Sequence, residues 1–383
     1  MSNYSVNMEI DERMGMFLIN KAAEKMADKY INAALELSKR ADNLVNDKKT
    51  KTEATECVKS DVQHGINSDV VVIYDKNGIP SIMRRFRRMT NKELFGGSDK
   101  PHPAFIIGGE VYDEIYISVY ENTMINGVPH SLPMMKPAAN LTLDKAEELC
   151  FKKGEGWHLM TAAEWGLIAN LSLKNKTLPH GNTERGFYHA DKSEHGVKDD
   201  STDCITLTGS GPKTWTHDHT IYGVHDLCGN VWEMIRGLRI YNGVFEIAKD
   251  NDAALNIDLS KDGTRWTCIC DDDGKYVSVS VEDTEIEIRS GSLGSTDYAG
   301  AAWGEVIMNC KSEMLKEYAL YNGESEALLY VDSTNGEYLP VRGGHWNNGA
   351  NAGLFCSFFN YPRSNSILNI GFRSAFYRKT DNC

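Results

Sequence analysis

No apolar run in these 383 residues is long enough to cross a bilayer, and no secretory leader pattern opens the chain. We therefore expect synthesis in a cytoplasm and no membrane insertion. Basic charge is scarce: 41 Lys and Arg stand against 54 Asp and Glu, a net charge of −13. That balance excludes nucleic acid as a general partner, because neutralising phosphates takes a basic face. The local run Arg84, Arg85, Arg87, Arg88 reads as a solvated strand edge or a contact with an acidic subunit. Nine cysteines, an odd number at spacings that fit no disulfide framework, read as mostly reduced and structural. Cys268 and Cys270 are too close for a zinc knuckle without a second pair. A Ser-His-Asp order, a phosphate-cradling glycine loop and an HExxH helix are absent as well.

The most unusual absence is local. From Val341 to Ala375 the chain has no Lys, Glu, Gln, Met or Asp, although charged residues make up 25% of the whole. Its charges are Arg342, Arg363 and Arg373. Gly343, Gly344, Trp346, Gly349, Gly353 and the closing Gly371 to Arg373 punctuate the stretch, and asparagines fill much of the rest. Asn favours turns and tolerates left-handed backbone, while Gly allows positive φ and close approach. Composition alone favours an irregular loop leading to a final strand over a binding surface.

The pattern RGGxWNNGxNAGxF, followed by PRSNS and NIGFRxA, resembles the variable region of proteins diversified by retroelements, a group that includes phage tropism determinants. In that family adenines are mutated during reverse transcription, most often in AAC codons for Asn. Randomising both adenines of AAC never yields Lys, Glu, Gln, Met or Trp, and the non-frame residues here obey that limit. The resemblance implies that His345, Asn347, Asn348, Asn351, Phe358, Asn360, Tyr361, Asn365, Ile367, Leu368 and Asn369 decide the ligand. Phe358, Tyr361, Ile367 and Leu368 are expected to form one exposed apolar patch, aromatic at its centre with Asn at the rim. Exchanging Tyr361 or Ile367 is therefore expected to leave stability unchanged. Arg342, Trp346, Arg363 and Arg373 are expected to hold the surface without touching ligand, and Trp346 and Trp232 to be buried.

Taken in order, the chain opens with Met16, Ile19, Ala23, Met26, Tyr30, Ala33, Leu37 and Leu44 at alternating steps of three and four, an apolar helical seam. It is either an amphipathic helix packed on its own domain or a self-associating handle. We take residues 1–66 as a helical oligomerisation or anchoring segment and 67–104 as a β-hairpin connector turning at Asn77-Gly78. EVYDEIYISVYEN is a candidate strand pair. Thr142 is placed to cap a helix through Leu149, and Thr161 with Glu164 forms a capping-box signature. GWHLMTAAEW, LTGSGPKTWTHD and YGVHDLCGNVWEMIRGLR resemble the core of C-type lectin folds of the formylglycine-generating-enzyme type. Within them, GNVWE (Gly229 to Glu233) reads as a tight glycine turn entering a strand with a buried Trp. YVSVSVED alternates as a strand, Met314 to Tyr321 is a short helix candidate, and GFRSAFY is expected to be one closing strand, pairing near the domain's first. The fold class is therefore α+β: a C-type lectin-like domain over 105–383, variable region 341–375, with an N-terminal helical segment.

Enzymes share this fold type, so a metal-dependent oxidative enzyme of the formylglycine-generating type is the alternative. Its copper-binding members use a nearby cysteine pair, whereas this region offers Cys356 with Cys383 in the tail. Its iron members use a His-rich helical domain, and the N-terminal seam has no such spacing. His217-Asp218-His219 reads as a surface turn, and Asp250 to Asp252 and Asp271 to Asp273 as Asp-rich turns rather than calcium sites. The expectation is a non-enzymatic binding protein with no metal or cofactor. Its partners would be a host cell-surface protein or glycan and either further copies of itself, as a trimer, or other virion tail proteins.

Overall fold

A computed structural model of the chain describes residues 69–379. The apolar seam from Met16 to Leu44 and Cys383 lie outside the described residues. The first hairpin forms as its turn chemistry requires. Val70–Tyr74 (β1) and Pro80–Arg87 (β2) run antiparallel. Between them the Asp75 carboxylate accepts the amides of Asn77 (2.8 Å) and Ile79 (3.0 Å), and Gly78 takes φ 74°. Glu114–Ser118 (β3) pairs with β2, so β2 is an interior strand. This corrects the reading of its arginines as a solvated edge. Arg84, Arg85 and Arg87 reach Asp69, Arg84 also reaches Asp218 and Arg85 reaches Glu114, so the acidic partners are in the same chain. The expected pairing within EVYDEIYISVYEN does not occur. Glu110–Val111 pairs back to Ile106–Ile107 instead.

Helices are few. Asn91–Phe95 (α1) is a single turn and so is Glu313–Glu317 (α4), while Leu143–Phe151 (α2) and Ala162–Asn175 (α3) are longer. Thr142 accepts the Lys145 amide as the cap of α2, and α3 starts with the reciprocal Thr161–Glu164 capping box. The helix expected over Met314 to Tyr321 stops early, because Ala319 turns to φ 52° and the Leu320 amide folds back to the Leu315 carbonyl. Trp157–Leu159 (β4) lies between α2 and α3.

The remaining regular elements are mostly strands. Trp232–Met234 (β5), Leu238–Tyr241 (β6), Val244–Ala248 (β7), Val277–Glu282 (β8) and Glu285–Ser290 (β9) are followed by Tyr298–Ala302 (β10), Leu328–Asp332 (β11) and Glu337–Gly343 (β12). Gly353–Tyr361 (β13), Ile370–Phe372 (β14) and Ser374–Phe376 (β15) complete the series. A twelve-stranded sheet runs β10-β11-β13-β12-β6-β7-β8-β9 and ends on Ile307–Asn309, with Trp266–Cys268 beside β7, β5 joining at β12 and β14 beside β5. GFRSAFY is thus two strands rather than one. β14 pairs in parallel with β5 in the large sheet, Arg373 marks the crossing, and β15 enters the five-stranded sheet β1-β2-β3-β15-β4. One apolar core spans both sheets and the two longer helices, including Ile117, Leu143, Trp165, Ile240, Leu329 and Phe359. The fold is mostly β, with few helices, in keeping with a C-type lectin-like arrangement.

Candidate functional site

The stretch 341–375 enters on β12, makes a loop, returns on β13, loops again and ends on β14 and β15. Trp232 of β5 sits where these pieces meet. It is buried, its amide donates to the Asn369 carbonyl (2.8 Å), and its ring lies 4.5 Å from that of Phe358 and 6.0 Å from that of His345. One residue therefore meets all three pieces, its ring against the first loop and the strand and its amide on the second loop.

The first loop is pinned through its backbone. Gly343 and Gly344 take φ 89° and 86°, and a Cβ on Gly343 would stand 2.7 Å from the Leu227 carbonyl oxygen. Only glycine fits such a left-handed, close-packed position. The Trp346 amide donates to Asn230 O (3.1 Å), Gly349 to Thr183 O (3.1 Å), and Arg185 donates to Trp346 O (2.8 Å). Inside the loop, Asn348 Oδ1 accepts the His345 amide (2.9 Å) and His345 Nδ1 accepts the Asn347 amide (3.1 Å). Burial lowers the His345 imidazole to about 4, so it is neutral at pH 7 and presents an acceptor to its neighbour. Asn347 and Asn351 are exposed and Asn348 half-buried.

On β13, Phe358 is half-buried between Trp232 and Tyr330, whose ring stacks at 5.3 Å and 22°. Asn360, Tyr361, Asn365, Ile367 and Asn369 are half-buried too, and Leu368 is 64% exposed. Phe358, Tyr361 and Ile367 pack against the main core, which corrects the expectation of one exposed apolar patch: Leu368 is the exposed member. Exchange of Tyr361 or Ile367 is accordingly expected to lower stability. Asn360 Oδ1 and Asn365 Nδ2 are buried without a hydrogen-bond partner among the described residues. Such orphan groups cost roughly 1–3 kcal/mol each.

The arginines hold this surface. Arg363 binds Glu337 (3.1 and 3.0 Å), Asp144 (2.9 Å) and the Leu259 carbonyl (2.8 Å), clamping the second loop. Arg342 is buried without a carboxylate, donating to the carbonyls of Ala319 (3.1 Å) and Leu354 (3.2 Å), and burial lowers its guanidinium to about 9. Trp346 departs from expectation. It is half-exposed beneath the Arg185 guanidinium (4.8 Å) and beside His345 (5.1 Å), at the margin of the site instead of in the core. Its backbone, not its ring, fixes the loop.

GNVWE binds the frame together. Gly229 (φ 75°) and Asn230 (φ 59°) turn the chain, and Asn230 links Glu121 (2.8 Å), Asn182 (3.1 Å) and the Thr206 amide (2.9 Å). Glu233 meets Arg373, so this motif and the closing GFR are one buried unit.

The candidate ligating residues elsewhere accept local hydrogen bonds. His217 is buried, not on a surface turn as expected, and its Nδ1 accepts the Val224 amide (2.8 Å). Asp218 and Asp271 accept neighbouring amides within their turns, and Asp252 receives the Gly108 amide. Cys356 is buried and its thiol is pushed well up by burial. The seven described cysteines are free thiols, and no cluster of three His, Cys, Asp or Glu suited to a metal occurs among the described residues. No helix among them is long and apolar enough to cross a membrane. Sequence reasoning did not select Tyr330 or Arg185. The outward phase of Leu328, Tyr330 and Asp332 in an alternating strand was the available signal for the first; Arg185, in a distant loop, left none.

No protein-family model matches the sequence and no curated protein matches it. Similar solved structures include variants of the major tropism determinant and a Treponema denticola variable protein. The I1 and U1 variants of the major tropism determinant are 11% identical, with TM-scores of 0.28 and 0.29, over 78% and 80% of this chain and 56% and 71% of theirs. Variable protein 1 of Treponema denticola is 12% identical with a TM-score of 0.28, over 80% of this chain and 98% of its own. This chain thus spans little more than half the length of the I1 variant.

Proposed function

We propose that this chain is a retroelement-diversified binding protein, built on a formylglycine-generating-enzyme-type lectin frame, that recognises a host cell-surface molecule through residues 345–369. The carrying observation is the convergence of both loops and β13 on Trp232. A segment free of Lys, Glu, Gln, Met and Asp is held by glycine turns and buried arginines at the margin of the fold, with its eleven candidate positions exposed or half-buried. A backbone fixed in advance spares binding the roughly 0.5–1.5 kcal/mol lost per side chain immobilised. The motif resemblance adds the virion, at a tail-fibre tip, as the place of action.

Setting all eleven positions to Asn alters His345, Phe358, Tyr361, Ile367 and Leu368. The variant is expected to stay folded at a lower melting temperature and to lose the ligand of the parent. Because Phe358, Tyr361 and Ile367 pack against the main core, His345→Asn with Leu368→Asn serves as the milder control. Undiminished binding by either folded variant places recognition elsewhere. A near-copy of the coding sequence for 341–375 beside a reverse transcriptase gene tests the diversification itself.

The proposal extends to multivalent display through residues 16–44, since several weak sites acting together raise avidity by about 10²–10⁴. Sedimentation of the full chain at micromolar concentration is expected to give an oligomer, a trimer on this reading. A monomer refutes the self-assembled handle.

A further inference from the structure

Beyond the variable segment, the sheet continues outward through β11 to its edge strand β10. Register places Tyr298 opposite Asp332 and Gly300 opposite Tyr330. Tyr298 is 63% exposed, and a Cβ at Gly300 would stand 2.8 Å from the Tyr330 ring, so glycine lets that ring lie against the edge strand beside Tyr298. Asp297 is seated beside this pair. Its amide donates to Ser333 Oγ (3.1 Å) and its carbonyl accepts the Ser333 amide (3.0 Å), one residue from Asp332. The carboxylates of Asp297 and Asp332 accept only local donors, the Tyr298 amide and Thr334, and no ion pair with a described basic side chain engages either. Tyr330 then stacks on Phe358, so the corner is continuous with the variable surface.

We infer that Tyr298, Tyr330, Asp297 and Asp332 form a fixed cation-binding corner that takes an arginine or lysine side chain presented by a protein ligand. The inference rests on the variable-surface reading for its setting. The exposed Tyr298 ring, the half-exposed Tyr330 ring and two carboxylates without an ion pair to a described basic side chain complement a guanidinium or ammonium, which gains both from the ring quadrupoles and from the acids. A neutral glycan gains little from the carboxylates, and an acidic one is repelled by them. A calcium ion wants six or more oxygens, and aromatic carbon occupies half of this corner. The phenol of Tyr330 is pushed up, first by burial and then by Tyr298, Asp332 and Asp297, which agrees with an electronegative pocket. Since none of these residues lies in 341–375, the corner stays constant while Phe358 beside it changes. It is a constant anchor at the edge of a changing surface.

The probe is N-acetyl-arginine amide, with neutral N-acetyl-citrulline amide as control, titrated into the full chain carrying ring-labelled tyrosine. Tyr298→Phe and Tyr330→Phe assign the two resonances. Saturable shifts of both rings with the arginine probe, absent with citrulline and lost in the Asp297→Asn/Asp332→Asn variant, are expected. Absence of shifts, equal shifts with citrulline, or shifts that survive in the double variant overturn the corner. In the eleven-asparagine variant the Tyr298 shift is expected to persist. The corner and the variable-surface reading therefore fail separately: the first in this titration, the second in retention of the parent's ligand.

Discussion

Trp232→Ala is expected to cost about 3–5 kcal/mol, a large share of the roughly 5–15 kcal/mol that holds a domain together. The side chain is 1% exposed. Its removal opens a cavity beneath Phe358 and His345 and deprives two rings of their neighbour. Binding is expected to vanish even where the chain still folds, because the first loop and β13 lose the ring that supports His345 and Phe358. Leu368→Asn is the comparison. That side chain is exposed, and its exchange is expected to move stability by no more than about ±0.5 kcal/mol. Denaturant unfolding of the two variants checks both, and a Trp232→Ala midpoint near that of the parent refutes the hub. Trp346→Ala, which sequence alone ranked with it, is expected to cost much less, since that ring is half-exposed.

The parts of the fold legible in the sequence are those written in local chemistry. Asp75 with Asn77-Gly78, Thr142, and the Thr161–Glu164 box each act within four residues, and each forms as read. The misreadings are tertiary. GFRSAFY alternates like one strand, yet Arg373 must reach Glu233 of β5, and the chain changes sheets there. The arginines of β2 looked like an edge because their partners Asp69, Glu114 and Asp218 are scattered along the sequence.

At the site, glycine spacing and missing residue types located the segment but not the depth of its side chains. Phe358 and Tyr361 read as exposed, because composition cannot tell which rings stand over a hole. Trp232 and Tyr330 supply the walls that half-bury Phe358, and both come from other strands. Trp346 read as buried because a lone tryptophan among glycines usually is. Here the glycines bring the backbone close to residues 182–185 and 227–230 and leave the ring outside.

Arg373→Met is expected to be comparably damaging and, unlike Trp232→Ala, to be relieved by acid. Arg373 is fully buried, pairs with Glu233, and donates to the carbonyls of Ser118 (3.0 Å), Val119 (3.3 Å) and His225 (2.9 Å). Removing one partner of a buried pair costs roughly 3–5 kcal/mol, because the other charge remains without compensation. Two more acids surround it. Burial raises Glu121 well above the usual carboxylate range, helped by Asp226 and Glu233, and burial raises Asp226 to about 6; the Arg373 charge opposes both shifts. Without the arginine both rise further. For an acid whose folded value lies above its unfolded one, the cost is present at high pH and disappears as pH falls through the folded value. The stability gap between parent and variant is therefore expected to be widest near pH 8 and to narrow towards pH 5. Chemical denaturation at the two pH values reads it directly. A gap that is constant, or wider in acid, would show that methionine harms packing alone and that the acids around Arg373 are not held by its charge.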